Sequence, residues 1–152
     1  MRVKRIPIDR IIVDSIMDNP IFVNENDNIL TVIKRLLQTK KGCVLVTRTN
    51  DDTIGIISDR DIQRLILKEG GLFSPELLAK DCMVKPVIMI DRTATLSDAE
   101  QIMRKNRVNR LPIIEQEGSK QVIGIINYET VHSNVLTRFA KSWIKRDYNF
   151  SK

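Results

Sequence analysis

The sequence predicts an α+β fold built from two copies of one β-α-β-β-α unit, and three observations predict it. Short motifs recur in the same order: Ile16-Met17-Asp18-Asn19-Pro20 returns as Cys82-Met83-Val84-Lys85-Pro86, and Ile54-Gly55-Ile56-Ile57 returns as Ile123-Gly124-Ile125-Ile126. Each copy sets a helix-period apolar stripe among short runs of β-branched residues. The copies lie 66 to 69 residues apart, too long for a solenoid repeat and suited to two small units packed as one body. With 152 residues, 42% of them hydrophobic, the chain can bury a real core. Such a duplication creates two related clefts, so function is to be sought where the copies meet.

In chain order, a short turn of helix ends near Met17, and Pro20 precedes a strand at 21–23. The polar run Asn24 to Asn28 opens a helix over 28–39, with Ile29, Val32, Ile33, Leu36 and Leu37 at the helical period. Cys43 to Thr47 and Thr53 to Ile57 read as strands joined by the polar turn Arg48 to Asp52. Ser58 can cap a helix from Asp59 to Lys68 with Ile62, Leu65 and Ile66 inward. Gly70-Gly71 breaks it, and Pro75-Glu76 starts a helical element at 76–82. The order then repeats: a strand at 87–90, a helix at 96–106, strands at 111–115 and 121–126 around Glu117-Gly118-Ser119, and a last helix from Tyr128 toward 145. Thr95 and Asp98 have capping-box spacing. The surplus residues of the second copy are expected between its first helix and next strand, where Arg107-Val108-Asn109-Arg110 replaces Lys40-Lys41-Gly42. The divisions are an N-terminal extension 1–12, a first repeat 13–69, a linker 70–76, a second repeat 77–140 and a basic tail 141–152.

The formal charge of +6 favours anionic partners such as nucleotides, nucleic acid or acidic lipid, and bears on association rather than fold. Cys43 and Cys82, each among apolar residues, make no disulfide or metal spacing and read as buried free thiols of a reducing compartment. No stretch has the length of a membrane span, and MRVKRIPIDR is not followed by a signal-peptide apolar run. A cytoplasmic protein with no membrane partner is expected. No P-loop, HExxH or GxSxG motif is present, His132 has no spaced partner, and Asp59, Asp61 and Asp91 do not form a metal set. No catalytic residue, metal or required cofactor is therefore assigned.

The clearest polar constellation is Gly55-Ile56-Ile57-Ser58-Asp59-Arg60-Asp61. The glycine permits close backbone approach, and Ser58 stands where free N–H groups at a helix start favour an anion. Asp61, three residues on, can accept from two neighbouring hydroxyls, as on a ribose diol. The same spacing serves equally for Ser58 to cap the helix and Asp61 to complement its dipole.

This glycine, two aliphatics, serine, two variable positions and aspartate resembles the nucleotide signature of the CBS (cystathionine beta-synthase) domain family. The Met-x-x-Pro starts at Met17/Pro20 and Met83/Pro86 and the run Arg110-Leu111-Pro112-Ile113-Ile114 also match it, and the tandem resembles a Bateman module over residues 12–140. The resemblance implies two units related by a pseudo-twofold axis, with clefts that bind AMP, ADP or ATP, or in some members S-adenosylmethionine. It implies that Ser58, Lys85, Asn109 and Arg110 meet phosphate, that Asp61 meets the ribose, and that Pro86 and Val87 pack on the base. The second cleft departs from the pattern: Asn127 replaces the serine and Thr130 the aspartate, opposite Asn19, Pro20 and Ile21. It is expected to be empty or weaker. The resemblance further implies a homodimer, and a sensor of this kind is expected to pass its output to an effector protein on another chain.

The tail from Arg138 mixes aromatic and basic residues, a pattern suited to stacking on single-stranded nucleic acid or to a partner helix. Phe139 and Trp143, four apart, can equally share one packed helical face. A nucleic-acid-binding protein and a structural dimer with vestigial clefts are accordingly the competing readings.

Overall fold

The structure, a computed structural model, describes the backbone of residues 11–72 and 74–147 and the side chains of these up to Lys141. Most of the expected N-terminal extension lies outside the described residues, as do the side chain of Trp143 and the end of the tail. Two three-stranded sheets form, each a β-α-β crossover followed by a hairpin. In the first, β1 (Phe22–Asn24) runs parallel to β2 (Cys43–Thr47), and β2 pairs antiparallel with β3 (Thr53–Ser58). In the second, β4 (Ile90–Asp91) is parallel to β5 (Arg110–Ile114), with β6 (Val122–Asn127) on its other side.

Local sequence explains these elements. Helix α1 (Ile29–Thr39) starts where Asn28 accepts the Thr31 N–H at 2.9 Å and ends at Lys40, whose φ of 53° is left-handed. Its stripe Ile29, Val32 and Leu36 is buried against β2, whose five residues are all buried, as a central strand covered on both faces requires. Helix α2 (Asp59–Lys68) follows β3 directly. The other sheet carries α4 (Leu96–Asn106) and α5 (Tyr128–Asp147). Thr95 and Asp98 form the expected capping box of α4, with bonds of 3.0 and 3.1 Å. We expect Thr95→Ala to lower stability by about 1 kcal/mol, measured by urea unfolding, and no loss would show the box to be redundant.

Three expectations are corrected. The helix at 76–82 is only α3 (Ala79–Cys82), because the extended Leu78 bridges to Asn28 and the Leu77 carbonyl accepts the Ile29 N–H. The strand at 87–90 contracts to Ile90–Asp91, the stretch that aligns with Ile113 and Ile114. The second copy's surplus is not after its helix: both loops, 40–42 and 107–109, are equally long, and Arg107 takes the same left-handed cap as Lys40. The extra residues lie in the hairpin, 115–121 against 48–52, and Arg110 opens β5 instead of belonging to a loop.

The compact units cut across the sequence repeats. Of the described residues, one unit holds 11–18, Ile88–Glu117 and 123–147; the other holds those of Asn19–Val87 and Gly118–Val122. Each repeat thus lends its opening segment, here termed its lead-in, to the body of the other. In the first lead-in (11–18), Ile11 and Val13 join the core of Leu96, Ala99, Leu111 and Ile113. Val13 N–H donates to Ala94 O at 2.8 Å, Leu96 N–H to Ile11 O at 2.9 Å, and Asp18 and Ile125 exchange both backbone bonds. In the second lead-in (77–84), Ala79 joins the core of Ile29, Val32, Val44 and Ile57. The matching bonds recur: Ala79 N–H to Asp27 O, Ile29 N–H to Leu77 O, and a reciprocal pair between Val84 and Ile56.

Both docks use a glycine for close approach. Met83 covers Gly55 so closely that an added Cβ would lie 2.7 Å from Met83 Cβ, and Met17 covers Gly124 in the same way, with its Cγ at 2.8 Å. The Met-x-x-Pro and Gly-aliphatic-aliphatic motifs therefore belong together in pairs that cross the repeats.

Candidate functional site

The Ser58–Asp61 pair forms at the junction of β3 and α2. Ser58 is extended, φ −98° and ψ 163°, so its side chain turns back over the first helical turn. Its Oγ accepts the Asp61 N–H at 3.2 Å, while Asp61 Oδ2 accepts both the Ser58 N–H and the Ser58 hydroxyl at 2.9 Å. The two residues thus form a reciprocal capping box, the local role that the spacing also allowed. Asp61 Oδ1 faces Arg64 Nη1 at 3.9 Å, and Arg64 is largely exposed, so that pair leaves the oxygen open to a stronger donor. Behind the helix start, Asp59 N–H donates to Gly42 O at 2.9 Å, which brings the Lys40-Lys41-Gly42 loop to the N-terminus of α2. In the sequence this loop stands out only as the counterpart of Arg107–Arg110 and carries no site role there; its signal is two lysines and a glycine just before a strand.

The second lead-in lies along β3. The Ile56–Val84 bridge is antiparallel, so the chain from Val84 through Lys85 and Pro86 proceeds toward the Gly55 end of β3 and away from Ser58. Cys82 and Met83 are the lead-in residues on the Ser58 side of the bridge. Ser58 and Gly55 stand three residues apart on the strand, about 10 Å. Ser58, Asp61, Lys85, Pro86 and Val87 all belong to the same compact unit, as do Asn19, Pro20 and Ile21. Ser58 and Asp61 are half-buried, and Lys85 and Pro86 are exposed.

Asn109, Arg110, Asn127 and Thr130 belong to the other unit. There Asn127 Oδ1 caps α5 by accepting the Thr130 N–H at 2.8 Å, and Tyr128 N–H donates to Asn109 O at 2.7 Å, the counterpart of Asp59 and Gly42. Thr130 supplies no carboxylate, so this junction has the cap without the acceptor pair. Arg110 is half-buried at the start of β5, with Nη1 3.5 Å from Asn109 Oδ1. His132 is exposed and stacks on Tyr128 with ring centroids 5.6 Å apart. Phe139 is 43% exposed. Among the described residues, no group of His, Cys, Asp and Glu could hold a metal ion, and no helix is long and apolar enough to cross a membrane.

Both cysteines are free; Cys43 is buried as expected, whereas Cys82 is only partly buried. Burial, and secondarily the Asp81 carboxylate, push the Cys82 thiol above its ordinary value of 9.0. A raised thiol pKa means that the folded state favours the protonated form. The resulting stabilisation is full below pH 9.0 and is lost as pH rises through the raised folded value. Alkylation of Cys82 by iodoacetamide, followed by mass spectrometry, is expected to inflect at higher pH than in an unfolded peptide of the same sequence. An inflection at or below that of the peptide would contradict this.

The CBS domain family model matches residues 13–68 and 79–136. Uncharacterized protein MK0525 of Methanopyrus kandleri is 31% identical over 91 residues, which cover 59% of this chain and 44% of that relative, so the chain spans less than half its length. Among solved structures, the chain resembles the CBS domain pair of protein MJ0100 in complex with 5′-methylthioadenosine and S-adenosyl-L-methionine. The TM-score is 0.72 and the identity 19%, over 84% of this chain and 97% of that one. CBSX2 in complex with AMP matches with a TM-score of 0.66 and 21% identity, over the same 84% and 97%. At these identities the likeness establishes the fold.

Proposed function

Since the chain belongs to the CBS domain family, as a tandem pair of its units, we propose that it is a non-catalytic regulatory module that binds an adenosyl ligand and signals to another protein. The observation that carries this reading is the Ser58–Asp61 pair, set at a helix start with Oδ1 of Asp61 open and a lead-in from the other repeat alongside. Asp61 takes the ribose hydroxyls, the phosphate lies toward the N-terminus of α2 with the Lys40-Lys41 loop, and the base extends along β3 toward Val84, Pro86 and Val87. Lys85 falls at the base end of this arrangement, about 10 Å along the strand from Ser58, rather than at the phosphate. AMP, ADP or ATP fits the basic loop better than S-adenosylmethionine, whose sulfonium is positive.

Signalling follows from the contribution of both repeats to one site. A ligand on Ser58 and Asp61 that also touches the second lead-in favours whichever docking of Cys82–Val84 it contacts best, and this differential affinity is what shifts the conformational equilibrium. The same reading includes a homodimer, to which Leu30 and Leu37 of α1 and Leu67 of α2, each at least 50% exposed, offer apolar surface.

Calorimetric titration of the ligand-free protein with AMP, ADP, ATP and S-adenosylmethionine tests the reading. Saturable binding near one ligand per chain is the expected result. Absence of heat and of any thermal stabilisation across all four, in folded protein, would refute it.

A further inference from the structure

The two lead-in docks are equivalent position by position, and their charges are inverted. In one unit, Arg92 Nη2 and Nε contact Asp14 Oδ2 at 2.7 and 3.0 Å, and Nη1 contacts both oxygens of Glu115 at 2.7 Å. Arg92 thereby ties the first lead-in to the second body. The counterpart of Arg92 in the other unit is Glu25: the Arg92 N–H donates to Ile114 O and the Glu25 N–H to Thr47 O, each at 2.9 Å and each next to the last strand residue of its parallel pair. The counterpart of Asp14 is Lys80, one residue after Ala79 as Asp14 is one after Val13, and its N–H donates to Glu25 O at 3.0 Å. The counterpart of Glu115 is Arg48, the residue that follows β2 as Glu115 follows β5. Acid, base and acid in one dock are matched by base, acid and base in the other.

Chain connectivity already keeps the first lead-in off its own repeat's body. Asp18 and Phe22 are four residues apart, a reach of at most about 14 Å. The lead-in position beyond β3 is three strand spacings from β1, also about 14 Å, which leaves no slack for the turn. Wrong docking of the first lead-in therefore arises when a second copy offers its bodies. There the backbone bonds of Val13, Ile11 and Asp18 recur in those of Ala79, Leu77 and Val84, with only the Lys80 N–H to Glu25 O bond added in one dock, so they discriminate little, whereas like charges brought together do.

We propose that the inverted charges are an address that governs lead-in exchange between copies of this chain. A first lead-in, carrying Asp14, is accepted by a body bearing Arg92, its own or that of a second copy. A body bearing Glu25 refuses it. A second lead-in, carrying Lys80, follows the opposite rule.

Disulfide trapping in the full chain, with Cys43→Ala and Cys82→Ala as background, tests this. Asp18→Cys with Ile125→Cys reports matched docking, and Asp18→Cys with Ile56→Cys reports mismatched docking; reciprocally bonded antiparallel partners lie about 5.5 Å apart, within disulfide reach. Native charges should give the matched link, with almost no mismatched covalent dimer. Asp14→Lys with Lys80→Asp should raise the mismatched dimer about tenfold, the combined scale of a few partly exposed charge pairs. Adding Arg92→Glu, Glu115→Arg, Glu25→Arg and Arg48→Glu should return the native ratio. A mismatched fraction that stays within about twofold of native after the lead-in swap overturns the proposal, since connectivity and apolar packing then suffice. If the swapped chain is unfolded by circular dichroism, the fully inverted chain decides: native-like folding supports the address, and failure to fold overturns it.

Discussion

Replacing Gly55 with valine is expected to destabilise the protein by about 1–3 kcal/mol, the usual cost of overpacking a filled site. The strand conformation at Gly55 is ordinary, so the effect is one of space. The first atom added would meet Met83 Cβ and Cγ at 2.7 Å, and Met83 Cβ is fixed by the backbone pairing of its neighbour Val84 with Ile56. The side chain cannot swing clear without loosening the lead-in. Gly55→Ala should show a smaller loss, and Met83→Ala in the same chain should recover part of it, because the colliding atoms beyond Cβ are gone. Urea unfolding of the two single variants and the double variant measures the coupling. Additive losses would mean that the methionine and the glycine do not oppose each other. Gly124→Val is expected to act alike through Met17.

Asp61→Asn is expected to weaken adenosyl-ligand binding on the order of 100-fold, since two hydrogen bonds to a charged acceptor together contribute about 3 kcal/mol. Stability should change far less. The asparagine oxygen can still accept from the Ser58 N–H and hydroxyl, as Asp61 Oδ2 does now at 2.9 Å, so the cap persists. What is lost is the charge and the second acceptor, which a ribose diol needs and a helix cap does not. Calorimetry with the best ligand of the panel, paired with thermal unfolding, separates the two roles. Equal binding by Asp61→Asn and native protein would reduce the pair to a capping box. The converse substitution, Thr130→Asp, gives the other junction a carboxylate three residues beyond Asn127.

Elements whose signals are local were legible in the sequence. Cys43–Thr47, Asp59–Lys68 and Leu96–Asn106 are bounded as the caps and apolar stripes indicate, because Ser58 and Thr95 act within one helical turn. The lead-ins were not legible in the same way. Val13 and Ala79 are apolar whichever body they enter, and periodicity records that a residue is buried without recording what it is buried against. Leu78 read as helix for a related reason: its backbone is held extended by Asn28, fifty residues earlier in the chain. Arg110 looked like loop charge because a basic residue at a strand's first position has no pattern of its own. The Ser58–Asp61 spacing was visible and doubly meaningful, since the geometry that caps a helix is also the geometry that presents a carboxylate beside free N–H groups.

The exchange of lead-ins bears on how such a chain could arise. The first repeat's opening residues cannot span to the glycine strand of their own body, so an ancestor made of one such repeat would complete its core by meeting another copy, each lending its opening residues to the other. Joining two such genes end to end replaces an encounter between molecules by one within a molecule, at an effective concentration of roughly millimolar for a short connection. Once joined, the halves no longer had to match themselves. One could keep a serine and an aspartate at its strand-to-helix junction while the other drifted to Asn127 and Thr130, and each dock was free to settle on its own sign of charge.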